Sequence, residues 1–279
     1  MIATGGPRNS QPGTLNQLFF GAVERYQKPD ALQVKVGGRY EPISHATLFA
    51  RVRHAAIGLS ELGVQRGDRV VVLSENRPEW AIADYACLAS GVIDVPIYPN
   101  ETPEAAAYII RDSGAVAAFV STAGQAAKIV EVRKECPSLK YVIGFDHVPG
   151  SGVDHTLADL EARGAAGLTP EREDAFKRTA MAVQPDDVAT IIYTSGTTGK
   201  PKGVMLTHDN LYSNVMASKE VIPFSGSDVA LSFLPLSHVF ERMAGHYLMM
   251  ETGTSIAYAE SIDTVPKNLV EVRPTLVLS

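Results

Sequence analysis

Apolar and polar positions alternate along this chain with two periods, and the change between them marks its elements. Thr14 stands as a cap before a helix whose apolar face is Leu15, Leu18, Phe19, Ala22 and Val23, and Pro29-Asp30 stops it. Leu32, Val34 and Val36 then alternate with polar residues, and Gly37-Gly38 turns the chain into Arg39 to Ile43, a β-hairpin. From Ser44, a second cap, a helix runs to about Leu62, with Gly63 as its stop. Val70 to Leu73 is a short unbroken apolar strand. Pro78 opens a helix through Trp80, Ala83 and Cys87, and Val92 to Ile97 is again a strand. Thr102-Pro103 starts a helix to about Asp112; a strand at Ala115 to Val120, a helix at Ala123 to Lys134 and a strand at Tyr141 to Phe145 follow.

Unbroken apolar strands separated by amphipathic helices mean a sheet covered on both faces, so the expected class is α/β, with mostly parallel sheets flanked by helices. The pattern divides the chain into a flexible N-terminus (1–13), a first α/β lobe (14–150), a connecting excursion (151–187) and the start of a second α/β lobe (188–279). Two features define the excursion: the Pro/Gly/Ser stretch Val148 to Gly152 and the charge run Glu171 to Arg178, both read as solvated surface.

Composition removes several classes. The 279 residues are 45% hydrophobic and 20% charged, ordinary for a globular protein with a sizeable core. The net charge is −6, and no segment gathers Lys and Arg into a stripe, so nucleic acid is not an expected partner. Cys87 and Cys136, the two cysteines, fit no metal or redox spacing, which points to a reducing, cytoplasmic setting. Met1 to Gly13 lacks the apolar core of a signal peptide, and no window of 18 residues is uninterruptedly apolar.

The chemistry is concentrated directly after the strand Val188 to Tyr193. There Thr194-Ser195-Gly196-Thr197-Thr198-Gly199-Lys200-Pro201-Lys202-Gly203 places four hydroxyls, three glycines and two lysines within ten residues. Glycines let the backbone approach a ligand and turn its N–H groups inward, hydroxyls bond phosphate oxygens and metal-bound water, and lysine supplies a point charge. A plain polar turn before Val204-Met205-Leu206 is the competing reading, and it has no use for so many hydroxyls and lysines. The segment is not a Walker loop, because Thr194 stands where its first glycine belongs and Pro201 follows Lys200. No Gly-x-Gly-x-x-Gly fingerprint, Gly-x-Ser-x-Gly elbow or metal-type histidine spacing occurs.

Tyr193 to Gly203, continuing through Val204-Met205-Leu206-Thr207-His208, resembles the signature loop of the acyl-adenylate-forming enzymes. Leu234-Pro235-Leu236-Ser237-His238-Val239-Phe240-Glu241-Arg242 resembles a second motif of that family. Ser74 to Trp80 and Gly91 to Pro99 are similar to its long-chain fatty-acyl-CoA ligase branch, and these two read as marks of ancestry rather than as site residues. The resemblance implies ATP-dependent activation of a carboxylate to an acyl-adenylate, then transfer to coenzyme A with release of AMP and pyrophosphate. It makes Thr194 a Mg²⁺ and phosphate contact, and Ser195, Gly196, Thr197, Thr198 and Gly199 a cradle for the β- and γ-phosphates. Lys202 would pair with the outgoing pyrophosphate, with Lys200 the weaker candidate. His238 would orient the acyl carboxylate and Phe240 would stand at the tunnel entrance.

The resemblance spans about the first half of a usual family member. The segments that hold adenine and ribose, the hinge and the C-terminal domain with its catalytic lysine have no counterpart in the sequence, and the apolar stretch Thr275 to Ser279 ends without a cap or turn. The expectation is therefore a chain inactive by itself, with its second lobe only marginally folded. A non-catalytic nucleotide- or acyl-binding remnant and one half of a split enzyme are the alternatives, and an ordinary NTPase producing ADP is a third class. Peripheral contact with a membrane surface suits an enzyme of insoluble acids, but no basic amphipathic helix marks one. Acyl chain length and oligomeric state stay open.

Overall fold

A computed structural model describes residues 11–194 and 200–279. The chain opens with α1 (Leu15–Tyr26), the hairpin of β1 (Leu32–Val36) and β2 (Arg39–Ile43), and α2 (His45–Glu61). There follow β3 (Arg69–Leu73), α3 (Pro78–Ala89), β4 (Ile93–Ile97), α4 (Pro103–Ser113), β5 (Ala117–Val120), α5 (Ala123–Val132) and β6 (Tyr141–Gly144). Next are β7 (His155–Thr156), α6 (Leu157–Ala166), α7 (Pro170–Met181), β8 (Val188–Thr194), β9 (Lys202–Thr207) and α8 (His208–Val221). Then come β10 (Val229–Ser232), a π-helical stretch (Glu241–Tyr247) running into α9 (Leu248–Thr252), β11 (Ser255–Tyr258), α10 (Val265–Val272) and β12 (Leu276–Val277).

Local chemistry sets the helix starts. Thr14 accepts from the Gln17 N–H while the Gln17 side chain accepts from the Thr14 N–H, a reciprocal cap on α1. Ser44 caps α2 through Thr47, and Thr102 caps α4 through Ala105 with Pro103 in the first turn. These three starts fall where the sequence places them.

Among the described residues the strands form two sheets, ordered β7-β6-β5-β3-β4-β8-β9 and β12-β10-β11-β1-β2. Neighbours run parallel except β8 with β9 and β1 with β2. Mostly parallel sheets with helices packed on them confirm the α/β class. From β3 the chain passes to β4 on one side, then returns across β3 to β5 on the other. Right-handed crossovers, the rule for parallel strands, put the connections leaving β3 and β4 on opposite faces, and in such sheets ligands bind outside the carboxyl ends where the strand order reverses. Helix α3 is mostly apolar and buried at every residue but Glu79, with Asp84 as its one buried charge-bearing side chain. It packs against α1, α2, α7 and strands of both sheets, including β1, β3 and β4.

Two expectations are corrected. The division at 151–187 does not separate the sheets: the hairpin β1–β2 joins the sheet of β10 and β11, and β8–β9 completes the sheet of β3 to β7. Sheet membership depends on pairing between distant segments, which local periodicity does not carry. Nor is 151–187 an irregular excursion. It contains β7, α6 and α7, with Thr156 and Asp159 capping α6 reciprocally and Thr169-Pro170 opening α7. The charges of 171–178 cover the outside of α7, while Phe176 and Ala180 are buried in the core. Helix α6 crosses α2 closely, each helix setting a glycine against the other's backbone: a Cβ on Gly58 would lie 2.4 Å from the Leu160 carbonyl oxygen, and one on Gly164 would lie 2.1 Å from that of His54. At the other end of the sequence, only Leu276 and Val277 of the 275–279 stretch pair, with Ala230 and Leu231.

Candidate active site

Strand β8 delivers Thr194 to the carboxyl edge of the larger sheet, where it is exposed and paired with Lys202 of the antiparallel β9. Between them lie Lys200, exposed, and Pro201; Ser195, Gly196, Thr197, Thr198 and Gly199 fall outside the described residues. Helix α4 props both flanks of this excursion. The Tyr108 hydroxyl donates to the Pro201 carbonyl at 3.1 Å, and the Tyr193 hydroxyl donates to Asp112 at 2.6 Å. Burial, and then the Asp112 carboxylate, push the Tyr193 phenol well up, so it stays a donor. Gly203 is required beneath it, since a Cβ there would stand 2.7 Å from Ile191 Cγ2 and 3.2 Å from the Tyr193 ring. His208, the last residue of the same motif, is not part of this edge. It is buried, accepts from the Leu15 N–H at 3.3 Å, and burial lowers its pKa to about 4.

Strand β4 is the parallel neighbour of β8, with Asp94 level with Thr190, and Tyr98 directly follows its last residue, Ile97, at the same carboxyl edge. The Tyr98 ring faces His238, their centroids 6.4 Å apart. His238 comes from the other sheet, on the loop after β10, with its N–H donating to the Pro235 carbonyl at 2.9 Å. Its Nδ1 accepts from the Phe240 N–H at 3.2 Å. A backbone N–H can only donate, so this bond leaves Nε2 as the nitrogen available to a ligand. Val239 and Phe240 follow on the exposed first turn of the helix, Phe240 at 42% exposure.

The loop is fastened from both sides. Asn76, three residues beyond β3, donates from Nδ2 to the Leu234 carbonyl (2.6 Å) and to Ser232 Oγ (3.0 Å), and accepts the Leu236 N–H at Oδ1 (2.9 Å). Ser232 in turn donates to Glu241 Oε1 at 2.6 Å. Beyond His238, Arg242 is fully buried and reaches back into the other sheet: Nη1 donates to Thr190 Oγ1 of β8 (2.8 Å) and Nη2 to Asp94 of β4 (3.1 Å) and to Asp84 of α3. Burial raises both carboxyls, but the guanidinium wins at Asp84 and brings it down to about 2, while Asp94 stays well above the carboxylate range. The cluster thus holds one cation against one anion and a neutral acid, the arrangement that a water-free interior tolerates.

Sequence reasoning missed Asn76, Tyr98 and Arg242 as parts of the site. All three lie in segments picked out for their resemblance, yet nothing in their spacing shows that β3, β4 and β10 end at one place. Among the described residues, no group of three or more His, Cys, Asp and Glu side chains is placed to hold a metal ion. No helix of the described residues is long and apolar enough to cross a membrane.

Mostly parallel sheets, with Thr194 and Lys202 at one carboxyl edge and His238 of the second sheet's loop facing Tyr98, define a two-sheet α/β protein. The family profile described as "AMP-binding enzyme" matches residues 20–279, and the chain belongs to that family. It is 35% identical over 246 residues to the long-chain-fatty-acid–CoA ligase FadD15 of Mycobacterium bovis, a match covering 88% of this chain and 40% of the relative. Among solved structures, the anthranilate CoA ligase AuaEII in complex with anthranoyl-AMP superposes with a TM-score of 0.82 at 20% identity, covering 99% of this chain and 51% of that one. The long-chain-fatty-acid-CoA ligase FadD1 of Archaeoglobus fulgidus gives 0.77 at 23% identity, covering 98% and 53%. These likenesses confirm the fold of an adenylate-forming N-terminal domain, and the chain spans about 40% of the length of the curated relatives it matches.

Proposed function

We propose that the chain serves the ATP-dependent activation of a long-chain fatty acid to its acyl-adenylate, followed by transfer to coenzyme A with release of AMP and pyrophosphate. The observation that supports it is that His238, on the loop after β10 of one sheet, faces Tyr98 at the carboxyl edge of the other, the edge at which β8 ends in Thr194.

In this reading Thr194 to Gly199 hold the β- and γ-phosphates, Lys202 neutralises the departing pyrophosphate, and Lys200 at the outer flank contributes less. His238 presents Nε2 to the acyl carboxylate, and Phe240 offers apolar surface where the chain enters. Magnesium suits this donor set, because it usually arrives with phosphate oxygens and keeps its waters rather than occupying an all-protein cage. It supplies charge neutralisation at the phosphates, with Thr194 as the protein contact. Attack on the α-phosphorus by the carboxylate needs positioning and electrostatic stabilisation rather than a protein nucleophile.

The test is pyrophosphate–ATP exchange by the complete gene product with palmitate present. Acid-dependent exchange is expected, and, once coenzyme A is added, release of AMP rather than ADP. The Lys202→Ala, Thr197→Ala double variant should lose roughly 10²-fold or more, as expected for removing groups that stabilise transition-state charge. Undiminished exchange in that variant, or ADP as the product, would overturn the reading.

A further inference from the structure

We propose that Asn76 is a positioning residue for His238, setting the distance between the histidine and the phosphate-binding edge. The inference rests on the functional reading above for the role of His238, but its geometry stands apart from it.

Among the described residues, Asn76 bonds the end of β10 at Ser232 and the loop before His238 at Leu234 and Leu236. Two of those partners are backbone groups, a carbonyl and an N–H, so the orientation of the amide is dictated rather than chosen. The bonds straddle Pro235, the residue whose carbonyl accepts the His238 N–H. A shift of the amide therefore moves the turn that carries the imidazole.

The residue before it does the matching work on the opposite wall. Glu75 accepts from Ser121 Oγ and from Gln125 Nε2 (2.8 Å), and Gln125 Nε2 also donates to the Pro99 carbonyl at 2.9 Å. Lys128 adds a second bond to Pro99, at 2.8 Å. Pro99 adjoins Tyr98, the ring that faces His238. One dipeptide at the end of β3 thus fastens both sides of the contact: Glu75 the tyrosine wall, Asn76 the histidine loop. It sits beyond β3, where the strand order reverses, and ties backbone of the two sheets together without any strand pairing between them.

A residue that works through His238 has a distinctive signature. In the complete gene product, Asn76→Ala should lower the acid-dependent exchange rate about 10- to 100-fold, the scale of an ångström-sized misplacement of a reacting group, with the KM for ATP within about twofold of the parent. In a His238→Ala background the same substitution should cost less than about threefold, because the group it positions is already gone. An undiminished loss in that background overturns the proposal. Amide hydrogen exchange on the same variant supplies a readout that does not need turnover. The amides of 234–240 should exchange at least about tenfold faster while those of α3 hold; equal acceleration in α3 means general destabilisation and defeats the assignment. If Asn76→Ala does not fold, Asn76→Asp takes its place, since it keeps the acceptor for the Leu236 N–H and loses both donors. A parent protein without acid-dependent exchange would defeat the functional reading, and the hydrogen-exchange comparison would still decide the placement of the loop.

Discussion

Glu241 shows how one residue ties the site to acidity. Its carboxyl is buried beside Gly245, where a Cβ would come within 2.5 Å of it, and it has a hydrogen bond from Ser232. Burial raises its pKa to about 7, and the Ser232 hydroxyl offsets only part of that. The folded acid therefore keeps its proton between about pH 4.5 and 7 while the unfolded one loses it. Stability falls as pH rises through that window and levels off above it, by about 3 kcal/mol in all from this group. Glutamine keeps the size and still accepts from Ser232 without a charge to desolvate. We expect Glu241→Gln to be indistinguishable from the parent at pH 4.5 and more stable by up to about 3 kcal/mol at pH 8, measured by urea unfolding at both values. An equal difference at the two pH values would mean that the carboxyl does not titrate in this range.

At the scale of elements, the helix after His238 departs most from its sequence pattern. Periodicity predicts an ordinary amphipathic helix opening at His238, but Glu241–Tyr247 is π-helical, with the Leu248 N–H bonding the Met243 carbonyl five residues back. The wider turn brings Arg242, His246 and Tyr247 together around Asp84, with the Tyr247 hydroxyl donating to it at 2.9 Å and accepting from Arg242 Nε. Such stretches recur at functional sites because they re-aim side chains. Here the effect is to bind the helix to β4, which leads to Tyr98, and to β8, which ends at Thr194. Arg242→Met should cost about 3–5 kcal/mol in denaturant unfolding, since it strands the Asp84 anion in the core. Adding Asp84→Asn should restore a large part of that loss, whereas simple additivity of the two substitutions would show that no ion pair is at work. None of this was readable beforehand. Asp84 and Asp94 look, in sequence, like interruptions of apolar segments, and only the fold supplies the cation that explains them.

For the whole molecule, the sequence was informative about parts and silent about their assembly. Caps at Thr14, Ser44 and Thr102 and the unbroken apolar strands fall within a residue or two of the observed elements, because those signals are local. That a hydroxyl- and glycine-rich segment directly follows β8 was legible for the same reason, since strand and segment are contiguous in sequence. What could not be read is that β1 pairs with β11, more than 200 residues later, and that β8 inserts beside β4. Buried parallel strands look alike, so their order is decided by packing over distance. That packing also bears on how the chain unfolds. Leu32, Val70, Phe119, Ala189, Ala230 and Ile256, from strands of both sheets, share one continuous core with α3. A firm first lobe and a loose second one cannot separate without opening that core, so the 279-residue chain should unfold as a single unit. Trp80, the sole tryptophan, sits in α3 with no exposed surface and reports on the centre of the core. Its fluorescence and the far-ultraviolet circular dichroism should follow one coincident urea transition. A circular-dichroism change that precedes the Trp80 transition would instead show that the β10–β12 region melts independently of the shared helix.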